Sequence, residues 1–245
     1  MLDVGGFVPF STTDWPGQLV AVVFVQGCPW RCVYCHNPQL QPRRRCAQPF
    51  DVPPGQTGAG PGDQSWQAVH EVLAARVGLL DGVVFSGGEP TLDPALPAAI
   101  AQVRALGYRV GLHTAGIAPE RLQALLPGLD WVGLDVKTSL DDYADLTGAS
   151  RSGRAARRSL ALLLASGVAH ELRTTYHPAL QDDRCLLDLA AELQALGARH
   201  WVLQQWQAQP RHDQAGAAGL DACWRWPAEV VLQQLRACLP GLALR

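Results

Sequence analysis

Along this chain an amphipathic leucine-rich stretch repeatedly runs into a glycine and then into a short apolar run, and this junction constrains the fold more than any other feature. In one copy Asp93-Pro94 reads as an N-cap and first-turn proline. Leu96, Ile100 and Val103 then share a face, and Gly107 closes the helix ahead of a strand over Tyr108–His113. A second copy runs through Leu160, Leu163 and Leu164 to Gly167 and a strand over Glu171–Tyr176. A third runs through Leu186, Leu189, Leu193 and Leu196 to Gly197 and a strand over His200–Gln205. Leu79-Leu80 before Val83–Phe85, and Pro127-Gly128 before Trp131–Leu134, add two more entries into strands. With Leu19–Val25, about six strands alternate with helices, the pattern of an α/β fold with a parallel sheet and right-handed crossovers. Six units are too few for a closed eight-stranded barrel; a partial (β/α)6 barrel fits the count, and an open doubly wound sheet is the alternative on periodicity alone. In both, ligands bind at the carboxyl ends of the strands.

At 245 residues, 48% of them apolar, the chain has material for one large core. Two stretches break the alternation. Residues 41–64, rich in Pro, Gly and Arg, read as a long loop, and residues 207–226 as an irregular lead into a closing helix near Pro227–Cys238, within a C-terminal extension over 207–245. No linker separates domains, so a single domain over 1–245 is expected. A net charge of −2 gives no general attraction to nucleic acid or an anionic membrane, and the tryptophans Trp201, Trp206, Trp224 and Trp226 come without the basic patch a nucleic-acid platform needs. The longest apolar run has strand length, and the N-terminus lacks a signal-peptide pattern. Seven cysteines, an odd number, fit a reducing, cytoplasmic compartment.

Three of those cysteines carry the chemistry. Cys28, Cys32 and Cys35 fall within Gly27-Cys-Pro-Trp-Arg-Cys-Val-Tyr-Cys-His-Asn-Pro38, spaced by three residues and then two. Thiolates select zinc, copper(I) or iron–sulfur clusters, and a closed zinc site wants four ligands, usually as paired C-x-x-C units. Three thiolates with no fourth beside them fit a [4Fe–4S] cluster with one iron left open. Cys46, Cys185, Cys223 and Cys238 are widely spaced and read as small buried thiols.

The C-x-x-x-C-x-aromatic-C run, with Tyr34 as the aromatic, resembles the signature of the radical S-adenosylmethionine (SAM) superfamily, and Gly87-Gly88-Glu89-Pro90 at the end of the next strand resembles its second motif. The resemblance implies a partial (β/α)6 barrel and a cluster on Cys28, Cys32 and Cys35 whose open iron is chelated by SAM. One electron then cleaves SAM to methionine and a 5′-deoxyadenosyl radical. Gly87, Gly88 and Glu89 would lie along the methionine part. Asp14-Trp-Pro-Gly17, His36-Asn37-Pro38, Asp135-x-Lys137 and the Arg173-bearing strand are similar to one branch, the glycyl-radical-enzyme activating enzymes, and above all to activators of anaerobic ribonucleoside-triphosphate reductase. This implies a glycyl radical enzyme as partner and a flavodoxin- or ferredoxin-like electron donor.

Alternation puts Asp135 and Lys137 on one face of their strand, where the lysine can pair with the SAM carboxylate and the aspartate can orient the lysine or help hold a cation; Arg173 offers a planar fork suited to a carboxylate. Tyr34 and Thr114 complete the expected SAM site, and His36 and Asn37 are candidates for meeting the partner's glycine loop. The chain departs from the pattern at His113-Thr-Ala-Gly116, where related activators read Asp-Thr-Asn-Gly and use the first two residues toward a monovalent cation; imidazole is a poor ligand for a hard cation, so that site is left open. Two other readings compete. One is a radical SAM enzyme with a small-molecule substrate, as in deazaguanine formation, which usually carries a different pair after the third cysteine. The other is a non-catalytic metal-binding or electron-transfer module.

Overall fold

The computed structural model describes residues 1–43, 65–207 and 224–245, and among these it contains eight strands and seven α-helices. Cys46, Cys223, Arg44, Arg45, nearly all of the 41–64 stretch and most of the 207–226 segment lie outside the described residues. The chain forms two compact units: Met1–Pro29 with Gln39–Thr114 and Glu120–Gly133, and Trp30–Pro38 with Ala115–Pro119 and Leu134–Arg245.

In the first unit, β1 (Val4–Ser11) pairs antiparallel with β2 (Val20–Val25), which pairs parallel with β3 (Gly82–Gly87), which pairs parallel with β4 (Arg109–Thr114). β5 (Trp131–Asp135) begins here. Alternation along these strands sends Val20, Val22 and Val84 into one cluster with Trp15 and Trp131. Trp15 reaches it from a tight turn in which the Gln18 N–H donates to the Trp15 carbonyl at 3.1 Å. Pro16 and Gly17 occupy the centre of that turn, and Gly17 has φ +73°, the type II geometry that proline then glycine favour. The Trp15 indole stacks on Trp131 with centroids 5.5 Å apart, and the Arg109 guanidinium lies 5.2 Å from the Trp15 ring.

The helices of this unit are α1 (Trp66–Ala74), α2 (Leu96–Ala105) and most of α3 (Pro119–Leu125). α2 buries Leu96, Ile100 and Val103 as its spacing predicts, but its N-terminus differs from expectation. The helix starts two residues beyond Pro94, with Ala95 at the cap position and no side-chain cap. Asp93 is engaged elsewhere: Oδ1 accepts from the Ala95 N–H at 2.8 Å, and Oδ2 accepts from the Asp3 N–H at 3.0 Å, tying the entry of β1 to the loop after β3.

The second unit holds the end of β5, then β6 (Ala169–Tyr176), β7 (His200–Gln205) and β8 (Gly241–Leu244), with β6 parallel to β7 and β7 parallel to β8. Its helices are α4 (Tyr143–Thr147), α5 (Ser152–Ser166), α6 (Asp183–Ala195) and α7 (Glu229–Cys238), the last being the expected closing helix. α5 buries Leu160 and Leu163, and α6 buries Leu186, Leu189 and Leu193, the leucine stripes of the sequence. Cys185 is a buried thiol whose sulfur lies 2.9 Å from the Thr138 hydroxyl. No helix among the described residues is long and apolar enough to cross a membrane.

The Trp15–Trp131 stack is a stability test of the first unit. Replacing Trp15 with Ala removes a buried indole and leaves a cavity, and chemical denaturation should show a loss of about 3–5 kcal/mol. Phe10→Ala, at a side chain 54% exposed on β1, should move the same transition by less than about 0.5 kcal/mol.

Candidate functional site

The candidate residues fall in two groups, one in each unit. In the first unit the chain leaves β2 through Gln26-Gly27-Cys28, and backbone hydrogen bonds hold each of these residues. The Gln26 N–H donates to Asp3 O at 2.8 Å, Gly27 N–H to Leu40 O at 2.7 Å and Cys28 N–H to Gln41 O at 2.8 Å. The buried Gln26 side chain donates to the Gln39 and Pro42 carbonyls at 2.9 and 2.6 Å, fixing the returning segment. The end of β3 lies against this exit: Gly88 N–H donates to Val25 O at 2.8 Å, and Glu89 N–H to Gly27 O at 2.9 Å. Gly87 has φ +116°, and a Cβ on Gly88 would stand 2.5 Å from the Gly27 carbonyl oxygen. The paired glycines therefore admit the backbone of the cysteine loop itself, a demand independent of any ligand.

Glu89 is buried at 1% exposure. Its Oε1 accepts from the Thr91 N–H at 3.2 Å, the Thr91 hydroxyl at 2.6 Å and the Thr114 hydroxyl at 2.7 Å. The carboxylate thus joins the ends of β3 and β4, and Thr114 is half of that joint. Beside it, His113 is a bridge. The Asp14 carbonyl, an acceptor only, takes Nε2–H at 2.7 Å, leaving Nδ1 to accept from the Ser86 hydroxyl at 3.3 Å, and the ring meets Trp131 edge-on.

In the second unit the loop over Trp30–Pro38 carries the other two cysteines. Cys35 N–H donates to Cys32 O at 3.1 Å, a turn that puts the two thiols on one bend. Cys28, Cys32 and Cys35 are all partly exposed and none is in a disulfide. Tyr34, between them, is buried against Leu146 and Trp206. The Lys137 ammonium lies 5.5 Å from the centre of the Tyr34 ring, a cation–π contact. Its side chain is 12% exposed, and its nearest carboxylate, Asp135 Oδ2, is 3.8 Å away. No hydrogen-bond acceptor reaches that ammonium among the described residues.

Asp135 is claimed from the other side. Arg173, 8% exposed on β6, donates Nε–H and Nη2–H to Asp135 Oδ1 at 3.1 and 2.9 Å. The sequence expectation that Arg173 meets a ligand carboxylate is thus answered by a carboxylate of the chain itself. Burial alone would lower the Lys137 ammonium, but the negative charge that Tyr34, Cys32 and Asp135 carry once ionised holds it well above the usual lysine range. Burial pushes the Cys32 thiol up, with Lys137 pulling against it, and raises the Tyr34 and Tyr143 phenols so that both stay neutral. Metal ligation reverses the first effect, since a coordinated thiol is deprotonated outright.

Sequence reasoning missed α4. Tyr143 is fully buried, accepts the Lys137 N–H at 2.8 Å, and meets Trp30 edge-on with centroids 6.0 Å apart. Thr147 C=O accepts the Arg31 N–H at 2.8 Å, and Leu146 packs against Tyr34. The spacing of Tyr143, Leu146 and Thr147 at i, i+3 and i+4 was a readable signal for one helical face. His36 is exposed on the same loop.

Cys28 belongs to the first unit and Cys32 and Cys35 to the second; all three are unbridged thiols, soft donors of the kind iron–sulfur clusters take, and the Lys137 ammonium lies beside Cys32. Comparison with known proteins gives the family. Residues 22–189 match the radical SAM superfamily. A Methanocaldococcus jannaschii protein named for glycyl-radical enzyme activation is 26% identical over 86% of this chain and 82% of its own length. The pyruvate formate-lyase-activating enzyme of Clostridium pasteurianum is 32% identical over 57% of this chain and 55% of its own, so the chain spans about half of that relative. In fold, the Streptococcus suis SuiB structure bound to S-adenosylmethionine superimposes with a TM-score of 0.59 at 11% identity, over 90% of this chain and 48% of SuiB. The fold class is the α/β partial barrel of that group. The chain belongs to the radical SAM superfamily, whose enzymes use a [4Fe–4S] cluster and S-adenosylmethionine.

Proposed function

We propose that this radical SAM enzyme is an activase that generates a glycyl radical on a partner enzyme, with anaerobic ribonucleoside-triphosphate reductase as the partner class. The observation that carries the SAM seat is the Lys137 ammonium, buried over Tyr34 beside Cys32 with Asp135 no nearer than 3.8 Å. A charge so placed asks for an anionic ligand, and the carboxylate of SAM supplies one. Cys28, Cys32 and Cys35 would hold the cluster, and Gly87, Gly88 and Glu89 would serve the methionine part of SAM. Arg173 acts through Asp135, and Asp135 orients Lys137. When bound, cluster and SAM supply one-electron bond cleavage and hydrogen-atom abstraction; the electron comes from a flavodoxin- or ferredoxin-like donor. No general base is required of the protein. Its task is to hold the partner's glycine close to the reacting carbon and keep water away, and His36, exposed next to Cys35, is placed on the loop that would meet it. Relatives named for glycyl-radical enzyme activation and for pyruvate formate-lyase activation support this reading.

Two experiments test it. The reconstituted chain, mixed anaerobically with SAM, reductant and an anaerobic ribonucleotide reductase, should give a glycyl-radical EPR doublet, and Cys32→Ala should abolish iron binding and the doublet together. SAM cleavage without a doublet on any glycyl radical enzyme would redirect the reading to a small-molecule substrate. Lys137→Ala should keep its iron but weaken SAM binding about 10- to 100-fold, the worth of one charge-assisted hydrogen bond. An unchanged SAM affinity removes Lys137 from the site.

A further inference from the structure

We infer that Tyr143, in the short helix α4, is a positioning residue that sets Lys137 against the cysteine loop. Its phenol accepts the Lys137 N–H at 2.8 Å and stands 3.5 Å from the Asp135 carbonyl. The oxygen therefore bridges the two ends of the Asp135–Lys137 segment at the exit of β5, where the Val136 N–H still donates to Arg173 O on β6 at 2.8 Å and the Lys137 N–H turns to the phenol. The ring of the same residue meets Trp30, two residues before Cys32, in an edge-to-face contact. One helical turn further on, Thr147 C=O takes the Arg31 N–H, and Leu146 packs on Tyr34, the ring under the Lys137 ammonium.

Five residues of helix thus touch the loop at Trp30, Arg31 and Tyr34 and touch the lysine segment through one hydroxyl. α4 is itself fixed: the Thr147 hydroxyl donates to Tyr143 O at 2.6 Å, and Gly148 ends the helix at φ +67°. The consequence is chemical. Among the described residues no hydrogen bond holds the Lys137 ammonium, so its position is inherited from its backbone, whose N–H is held by the Tyr143 hydroxyl and whose carbonyl accepts from the Gln181 side chain at 2.9 Å. Removing the hydroxyl while keeping the ring separates this role from packing on Trp30.

The inference rests on the cysteines and Lys137 forming the SAM site, and it is indifferent to what the radical is used for. Its test is Tyr143→Phe, with Tyr143→Ala as the packing control. In metal-free protein, the Lys137 amide should exchange with deuterium about fivefold faster in Tyr143→Phe than in the parent. In reconstituted protein, Tyr143→Phe should bind the parent's complement of iron, while the SAM concentration needed to shift the reduced-cluster EPR spectrum rises about fivefold. Tyr143→Ala should in addition lower the iron content. On a Lys137→Ala background, Tyr143→Phe should add nothing to the loss of SAM affinity. Three outcomes overturn the inference: unchanged amide exchange, unchanged SAM dependence, or a full added loss in the absence of Lys137. Loss of iron in Tyr143→Phe also overturns it, because the hydroxyl would then be serving the loop and not the lysine. A missing glycyl-radical doublet alongside these results would count against the activase alone.

Discussion

A lysine ammonium withdrawn from water is the constraint around which the second unit is arranged. Burying an ammonium costs several kcal/mol after relaxation, and one carboxylate at 3.8 Å offsets that only in part. The remainder comes from geometry that leaves the charge in place without saturating it. The Tyr34 ring face lies beneath it, and Asp135 is held at a distance because its other oxygen carries both donors of Arg173. A lysine hydrogen-bonded directly to Asp135 would be more stable and less useful, since a ligand carboxylate would have to displace an internal partner. Arg173 prevents that by holding the aspartate with a fixed planar fork, which lysine could not do in its place.

The first unit solves a different problem, the approach of two main chains at the exits of β2 and β3. Backbone oxygen sits where side chains at residues 87 and 88 would go, so the glycine pair is required before any ligand enters. Once the chains touch, Glu89 falls into the interior, and its carboxylate must be satisfied there. Thr91 and Thr114 do this, and in doing so they bind the loop after β3 to the last residue of β4. Close approach, burial and the carboxylate clamp form one causal sequence. A motif that reads as ligand contact in sequence is here also the fastening of the strand ends.

The alternation of helix, glycine and strand was legible because each element buries a leucine stripe or a valine run and each break is marked by glycine. Gly167 and Gly197 do take the left-handed conformation that the breaks require. β1 and β8 were not legible: Val4–Ser11 carries two glycines and a proline, and Gly241–Leu244 is four residues long, so neither shows a usable period. Cap chemistry failed at Asp93 for a physical reason, since both its oxygens serve backbone amides outside the helix. In the site, the Asp135–Lys137 pairing was readable from spacing. The Arg173 clamp and the α4 contacts were not, because each joins residues whose relation depends on tertiary packing.

His113 illustrates how a departure from a family pattern can be absorbed by the fold. With an aspartate here, the strand end would present a carboxylate; with histidine, it presents one donor and one acceptor, and both are engaged. The Nε2 proton goes to the carbonyl of Asp14, the residue that opens the Trp15-Pro16-Gly17 turn, and Nδ1 faces the Ser86 hydroxyl. The turn in turn delivers Trp15 onto Trp131, whose other neighbour is the edge of the His113 ring. An aspartate could not make the same bond to Asp14, because two acceptors would meet, and a carboxylate beside a carbonyl oxygen would repel it. The histidine and the Asp-Trp-Pro-Gly turn are therefore coupled: the side chain that is a poor ligand for a hard cation is the one that can hold this turn.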